Sequence, residues 1–201
     1  QKWDATSALV PAREEDGEDN RVMIHSFWRP ERAPLWSEAW LYAKQAIEHH
    51  SRFTGFTYPW PHMTTVEGDD IIDGGMEFPM LTLIGPVEGG EGQTLFNVTS
   101  HEIAHMWFGD LVTMEWWNGI WLNEAFATFM ATMSSDNFNS EWGRWNQFSL
   151  ERSMAFDVDS LANTRPIEIE VNSPEDAEGM FDLLTYEKGG SVLRMLEQFL
   201  G

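Results

Sequence analysis

Cysteine is absent from this chain of 201 residues. Disulfides and thiolate metal ligands are thereby excluded, so any bound metal must be held by His, Asp or Glu. Basic residues are scarce, 12 Lys and Arg against 33 Asp and Glu, for a formal charge of -21. Such a surface repels the phosphates of nucleic acid and anionic membranes, and neither is expected as a partner. No run approaches the roughly eighteen apolar residues of a membrane span, and no basic-then-apolar leader opens the chain. Gln1 begins it without a methionine, and it stops at Gly201 directly after the helical pattern Val192, Leu193, Met195, Leu196, Phe199, Leu200. It reads as a segment of a longer protein.

What is present suffices for one well-buried core, with 42% hydrophobic residues over this length. The acidic run Glu14, Glu15, Asp16, Gly17, Glu18, Asp19 carries too many like charges to pack and reads as a solvated loop. Eleven tryptophans are unusual, and at helical spacing most belong to the core or to interfaces.

Arg21 to Trp28 is apolar on both alternating faces and ends at Pro30, as a strand does. Pro34 opens a helical pattern through Trp36, Trp40, Ala43 and Ile47, which should end before Gly55. Met63 to Val66 and Phe78 to Ile84 read as strands flanking an acidic, glycine-containing loop, and are expected to pair as antiparallel neighbours. Helical patterns follow from Leu95 to about Phe108, from Asn118 or Trp121 to Met133, and through Trp142, Trp145, Phe148 and Met154. Pro166 to Val171 alternates Ile and Glu as a short strand would, Ser173 with Pro174 starts a helix, and a last helix begins near Tyr186. Strands before residue 95 and helices after it define an α+β fold. Residues 1–30 are expected to be the end of a preceding β region or a domain edge, and residues 31–201 the main domain.

The segment His101-Glu102-Ile103-Ala104-His105 places two imidazoles one helical turn apart on one face, where both can reach one ion. Zinc accepts neutral imidazole nitrogen, and a catalytic zinc keeps three protein ligands and one open position. Glu124 follows His105 after 18 residues on another helical pattern, a separation that lets two helices pack with a turn between them. It is the expected third ligand. Glu102 points to the side of the two histidines and is the expected general base on the attacking water.

The order His101, Glu102, His105, Glu124 resembles the gluzincins. His101 to Thr113, with Trp116-Trp117-Asn118 and Trp121-Leu122-Asn123-Glu124, looks like the M1 family of zinc aminopeptidases. Gly74-Gly75-Met76-Glu77 resembles that family's exopeptidase motif, usually written G-x-M-E-N, and Thr185-Tyr186-Glu187-Lys188-Gly189 its catalytic-tyrosine segment. Phe78 stands where the family usually has Asn, and Gly119 where an Asp is common.

The resemblance implies a thermolysin-like catalytic domain with one Zn2+ per chain, acting on peptides with a free N-terminus. Glu77 would bind the substrate's α-ammonium by a charge-assisted hydrogen bond. Gly74, Gly75 and Met76 would lie along the substrate, the glycines letting backbone approach it closely. Tyr186 would donate to the oxyanion. Related zinc hydrolases, whether endopeptidases or epoxide-opening enzymes, keep the same metal ligands, and a non-catalytic peptide-binding module is the third alternative. Asn97-Val98-Thr99 matches a glycosylation sequon but falls at the metal helix, where it should be sterically unavailable. Lys188 reads as a solvated or locally paired charge.

Overall fold

Along Arg21–Trp28 the side chains of Val22, Ile24, Ser26 and Trp28 are buried and those between them half-buried, the pattern of a strand with both faces largely covered. The computed structural model of the chain describes residues 2–16, 20–68, 71, 74–87 and 92–201. They fall into two units, Gln1–Met106 and Trp107–Gly201.

The first unit is built on a five-stranded sheet: β1 (Asp4–Pro11), β2 (Arg21–Trp28), β3 (His62–Glu67), β4 (Gly75–Met76) and β5 (Leu81–Ile84), in the order β1-β2-β3-β5-β4. The two helices α1 (Ala33–Trp36) and α2 (Ala39–Thr54) carry the chain from β2 to β3, so β3 lies parallel to β2. The expected antiparallel pairing of the next two strands is overturned: β5 lies parallel to β3, from Thr64 opposite Leu81 to Glu67 opposite Ile84. The cause is β4, a two-residue strand at the outer edge, which pairs antiparallel with β5. The chain reverses between β4 and β5, not between β3 and β5. Phe78 to Met80, expected at the start of that strand, form this reversal instead.

The expected single helix from Pro34 is interrupted after Trp36 and restarts at Ala39. The two-residue break shifts its phase, so the buried face of α2 runs through Ala39, Ala43, Ala46, Ile47 and His50, and Trp40 is only half-buried. Gly55, with φ +69°, takes the left-handed conformation that closes the helix. Trp28, Trp36, Ala39, Ile84, Val87 and Leu95 form one core cluster between the sheet and these helices. Glu14 to Asp16 make a short 3-10 turn with no buried residue, Glu14 and Glu15 exposed as expected of a solvated run, and their carboxylates pair with Lys44 (3.5 Å), Arg52 (3.0 Å) and, from Asp16, Arg13 (2.7 Å). Gly17, Glu18 and Asp19 lie outside the described residues. The unit's last helix, α3 (Gly92–Ala104), carries the H-E-x-x-H segment and ends short of the expected Phe108.

In the second unit, α4 (Ile120–Phe138) is buried around most of its circumference, among others at Ala125, Ala127, Phe129, Met130 and Ala131, which makes it that unit's central helix. Around it come α5 (Arg144–Asp159), α6 (Pro174–Glu178), a π-helical turn over Leu184–Lys188 and α7 (Gly189–Leu200). Ser173 caps α6 as expected: its Oγ accepts from Asp176 N (3.2 Å) and Asp176 Oδ2 accepts from Ser173 N (3.0 Å).

The strand expected over Pro166 to Val171 does not form. Its side chains do alternate, with Ile169 and Val171 packed on the cluster of Ile120 and Met180. Three of its carbonyls, however, are taken by side chains: Arg165 Nη1 donates to Pro166 O (3.0 Å) and Ile167 O (3.2 Å), and Trp116 Nε1 to Val171 O (2.9 Å). Alternation without a partner strand does not make a sheet. No helix among the described residues is long and apolar enough to cross a membrane.

Candidate metal and peptidase site

In the first unit His101 lies on α3 and His105 one turn further on, just past its last residue, their Nε2 atoms 3.1 Å from each other and their rings nearly perpendicular at 78°. His105 continues the helix, its N–H donating to His101 O (3.3 Å), and Met106 N then closes a tighter turn on Ile103 O (3.1 Å). His105 is 1% exposed and Glu102 5%, while His101 is half-buried. Two nitrogen ligands at about 2.0–2.1 Å from one tetrahedral zinc would stand roughly 3.3 Å apart, so this pair fits that ion.

Glu102 is aimed toward β4. Donor atoms of Glu77, Glu102 and His105 all lie within 4.8 Å of one another. Gly75 makes room for this, since a side chain there would collide with the Glu102 carboxylate. The turn that brings Glu77 in is specific. Leu81 N donates to Phe78 O (2.9 Å), Pro79 occupies the second position, and Met80 takes φ +61°, the conformation of a type II turn that normally selects Gly or Asn. Met80 is held there by its own backbone. Its N–H points to Met106 Sδ (3.3 Å), and its carbonyl accepts from Thr64 N (2.9 Å). Gly74, with φ +95°, is the other left-handed position of the segment. Met76 and Phe78 are exposed, at 39% and 51%.

Sequence reasoning passed over His50. It is fully buried, with Nε2 2.9 Å from Ser100 O and 3.1 Å from Ser100 Oγ. Burial pushes its imidazole down to about 3 and that of neighbouring His49 down to about 4. Its position three residues after Ile47 on the apolar face of α2 was the available signal. Thr99 of the sequon is likewise fully buried on α3.

Glu124 and Tyr186 belong to the second unit. Glu124 is 5% exposed on the first turns of α4, and Tyr186 is half-buried in the π-helical turn. These two segments pack on each other. A side chain at Gly189, just after the π turn, would come within 2.7 Å of Ala125 Cβ, next to Glu124. Asp182 holds the start of the turn by accepting from Leu184 N (2.9 Å) and Thr185 N (3.1 Å), and Arg165 grips Asp182 at 2.6 Å. Lys188 is paired with Asp159 at 2.8 Å. Gly119 precedes α4, and a Cβ there would stand 3.0 Å from Met114 Cβ, a tight approach.

A helix with two converging imidazoles and a carboxylate between them is the arrangement of metal-dependent hydrolases. Residues 39–201 match the model of the Peptidase family M1 domain, and the chain belongs to that family. It is 40% identical over 168 residues to the Tricorn protease-interacting factor F2 of Thermoplasma volcanium, covering 79% of this chain and 22% of that protein. With Aminopeptidase M1-D of Oryza sativa subsp. japonica the identity is 38%, over 78% of this chain and 19% of the relative. With the alanine/arginine aminopeptidase of Saccharomyces cerevisiae it is 39%, over 72% and 18%. The chain thus spans about a fifth of the length of these relatives.

Proposed function

We propose that this chain is the thermolysin-like catalytic segment, residues 31–201, of a zinc aminopeptidase that removes N-terminal residues from peptides, with residues 1–30 the end of a preceding β region. The observation that carries this reading is the convergence of Glu77, Glu102 and His105 beside His101 in a member of family M1. His101, His105 and Glu124 would hold one Zn2+, which when bound supplies a Lewis acid for the scissile carbonyl and its attacking water.

The rest of the chemistry belongs to side chains. Glu77 takes the α-ammonium, and Gly74, Gly75 and Met76 lie along the first residues of an extended substrate. Glu102 removes a proton from the attacking water as the C–O bond forms and returns it to the departing amine as the C–N bond breaks. The Tyr186 hydroxyl donates to the oxygen that gains negative charge. Phe78, which has no amide and is half exposed, favours a weaker grip on the free terminus and keeps endopeptidase activity as the second reading.

Metal analysis and turnover of the full-length protein test the assignment. His101→Ala, His105→Ala and Glu124→Ala should each lose zinc, whereas Glu102→Gln should keep it and lose activity by orders of magnitude. Near-normal turnover in Glu102→Gln would remove Glu102 from the role of base.

A further inference from the structure

His50 is a buried polar residue with no part in the chemistry above. Its partner is the residue immediately before the first histidine of the metal pair. The His50 Nε2 atom lies 2.9 Å from Ser100 O, and a carbonyl oxygen only accepts, so the imidazole proton must sit on Nε2. The same N–H is shared with Ser100 Oγ at 3.1 Å. Burial pushes this imidazole down to about 3, so the ring is neutral and has a single proton to place.

The bond reaches α3 where the helix is least secured. The α-helical geometry stops at Ala104, one residue before His105. The His105 N–H reaches His101 O only at 3.3 Å, and the next N–H shifts to the tighter spacing of a fraying end. The two imidazoles therefore sit on a helix terminus, and their 3.1 Å separation depends on that terminus being fixed. His50 fixes it from a neighbouring helix, since α2 is itself seated in the unit through its buried residues Ala39, Ala43, Ala46 and Ile47.

We propose that His50 is a positioning residue for the metal-binding turn: its Nε2–H holds the Ser100 carbonyl so that His101 and His105 face one point before the metal arrives. This rests on the metallopeptidase reading. Outer partners that orient metal ligands typically change affinity 10–100-fold when removed, and His50 would act in this way through backbone instead of through a ligand's own ring.

The test is zinc affinity of the full-length protein, measured by competition with a chromophoric chelator, together with the visible absorption spectrum of the cobalt(II)-substituted form. His50→Phe, which fills the space without a donor, should weaken zinc binding roughly 10–100-fold and shift the cobalt bands. His50→Gln, whose side-chain N–H can reach the same carbonyl, should recover most of the affinity. Ser100→Ala should bind as the parent does, since the carbonyl remains. Parent-like affinity in His50→Phe, or an equal loss in His50→Phe and His50→Gln, would reduce His50 to a packing residue and overturn the proposal. A loss in Ser100→Ala as large as in His50→Phe would overturn the assignment to the carbonyl. If the parent itself takes up no zinc, the metallopeptidase reading fails first, an outcome distinct from all of these.

Discussion

The Glu102 carboxylate lies against the α-carbon of Gly75, in the space that a side chain at Gly75 would fill. The strand that would receive the substrate and the acid that would activate the water are therefore in direct contact, with no intervening side chain. Gly75→Val should displace Glu102 without touching either imidazole. Misplacing a reacting group by about 1 Å can cost on the order of a hundredfold in rate. The expected result is a fall in kcat of that order, with metal content unchanged by elemental analysis.

In the proposed reading Glu77 is the residue that would separate an aminopeptidase from other zinc peptidases. Removing one partner of a desolvated charge pair costs about 2–5 kcal/mol, roughly thirty- to several-thousand-fold in kcat/KM. Glu77→Ala should lose this on free peptides, change little on N-acetylated ones, and keep its zinc. Equal losses on both substrates would favour the endopeptidase reading.

For Tyr186, a hydroxyl that serves only the developing oxyanion acts in the transition state. Tyr186→Phe should lower kcat by about 10²–10³ while KM stays near the parent value. Unchanged kcat in steady-state assays would return Tyr186 to a packing role.

Met80 holds a conformation that glycine adopts without steric cost. A non-glycine residue in the left-handed region costs about 1–3 kcal/mol, against about 0.5–1 kcal/mol of extra chain entropy for glycine. Met80→Gly should raise the urea midpoint of unfolding by an amount worth about 1 kcal/mol. A lower midpoint would show that the Met80 side chain contributes more than its backbone costs.

His49 and His50 are both held neutral by burial, near 4 and 3. In the unfolded chain they take up protons below about 6.5. Their contribution is therefore complete above that pH, declines as pH falls from about 6.5 toward 4 and 3, and flattens below. The slope approaches about 1.4 kcal/mol per pH unit for each histidine. Denaturant unfolding at pH 7.5 and 5.5 should show a smaller loss in His49→Gln and His50→Gln than in the parent.

The convergence of His101 and His105 was legible because it is written locally. Two histidines four apart need only a helix to converge, and α3 supplies one. The capping of α6 was equally plain, since Ser173 and Asp176 satisfy each other within one turn. Pairing direction was not legible: β3 and β5 look the same in sequence whether parallel or antiparallel, and the outcome turned on β4, whose Gly75 and Met76 carry no strand signal. Nor does alternation at Ile167, Ile169 and Val171 reveal whether a partner strand exists. His50 stayed hidden because its partner is a backbone carbonyl fifty residues away.

The π-helical turn over Leu184–Lys188 is an α-helix with one residue too many: the N–H of Gly189 reaches back five positions to Leu184 O instead of four. Counted along the chain, it behaves as a single-codon insertion that the fold has absorbed. Removing one residue there would restore four-residue spacing but turn everything before it by about 100° relative to α7. Gly189 and Gly190 would keep their seats on Ala125 and Phe148 while Tyr186 swung to another side. The length of this segment, counted to the residue, is thus as much a part of the tyrosine's placement as the tyrosine itself.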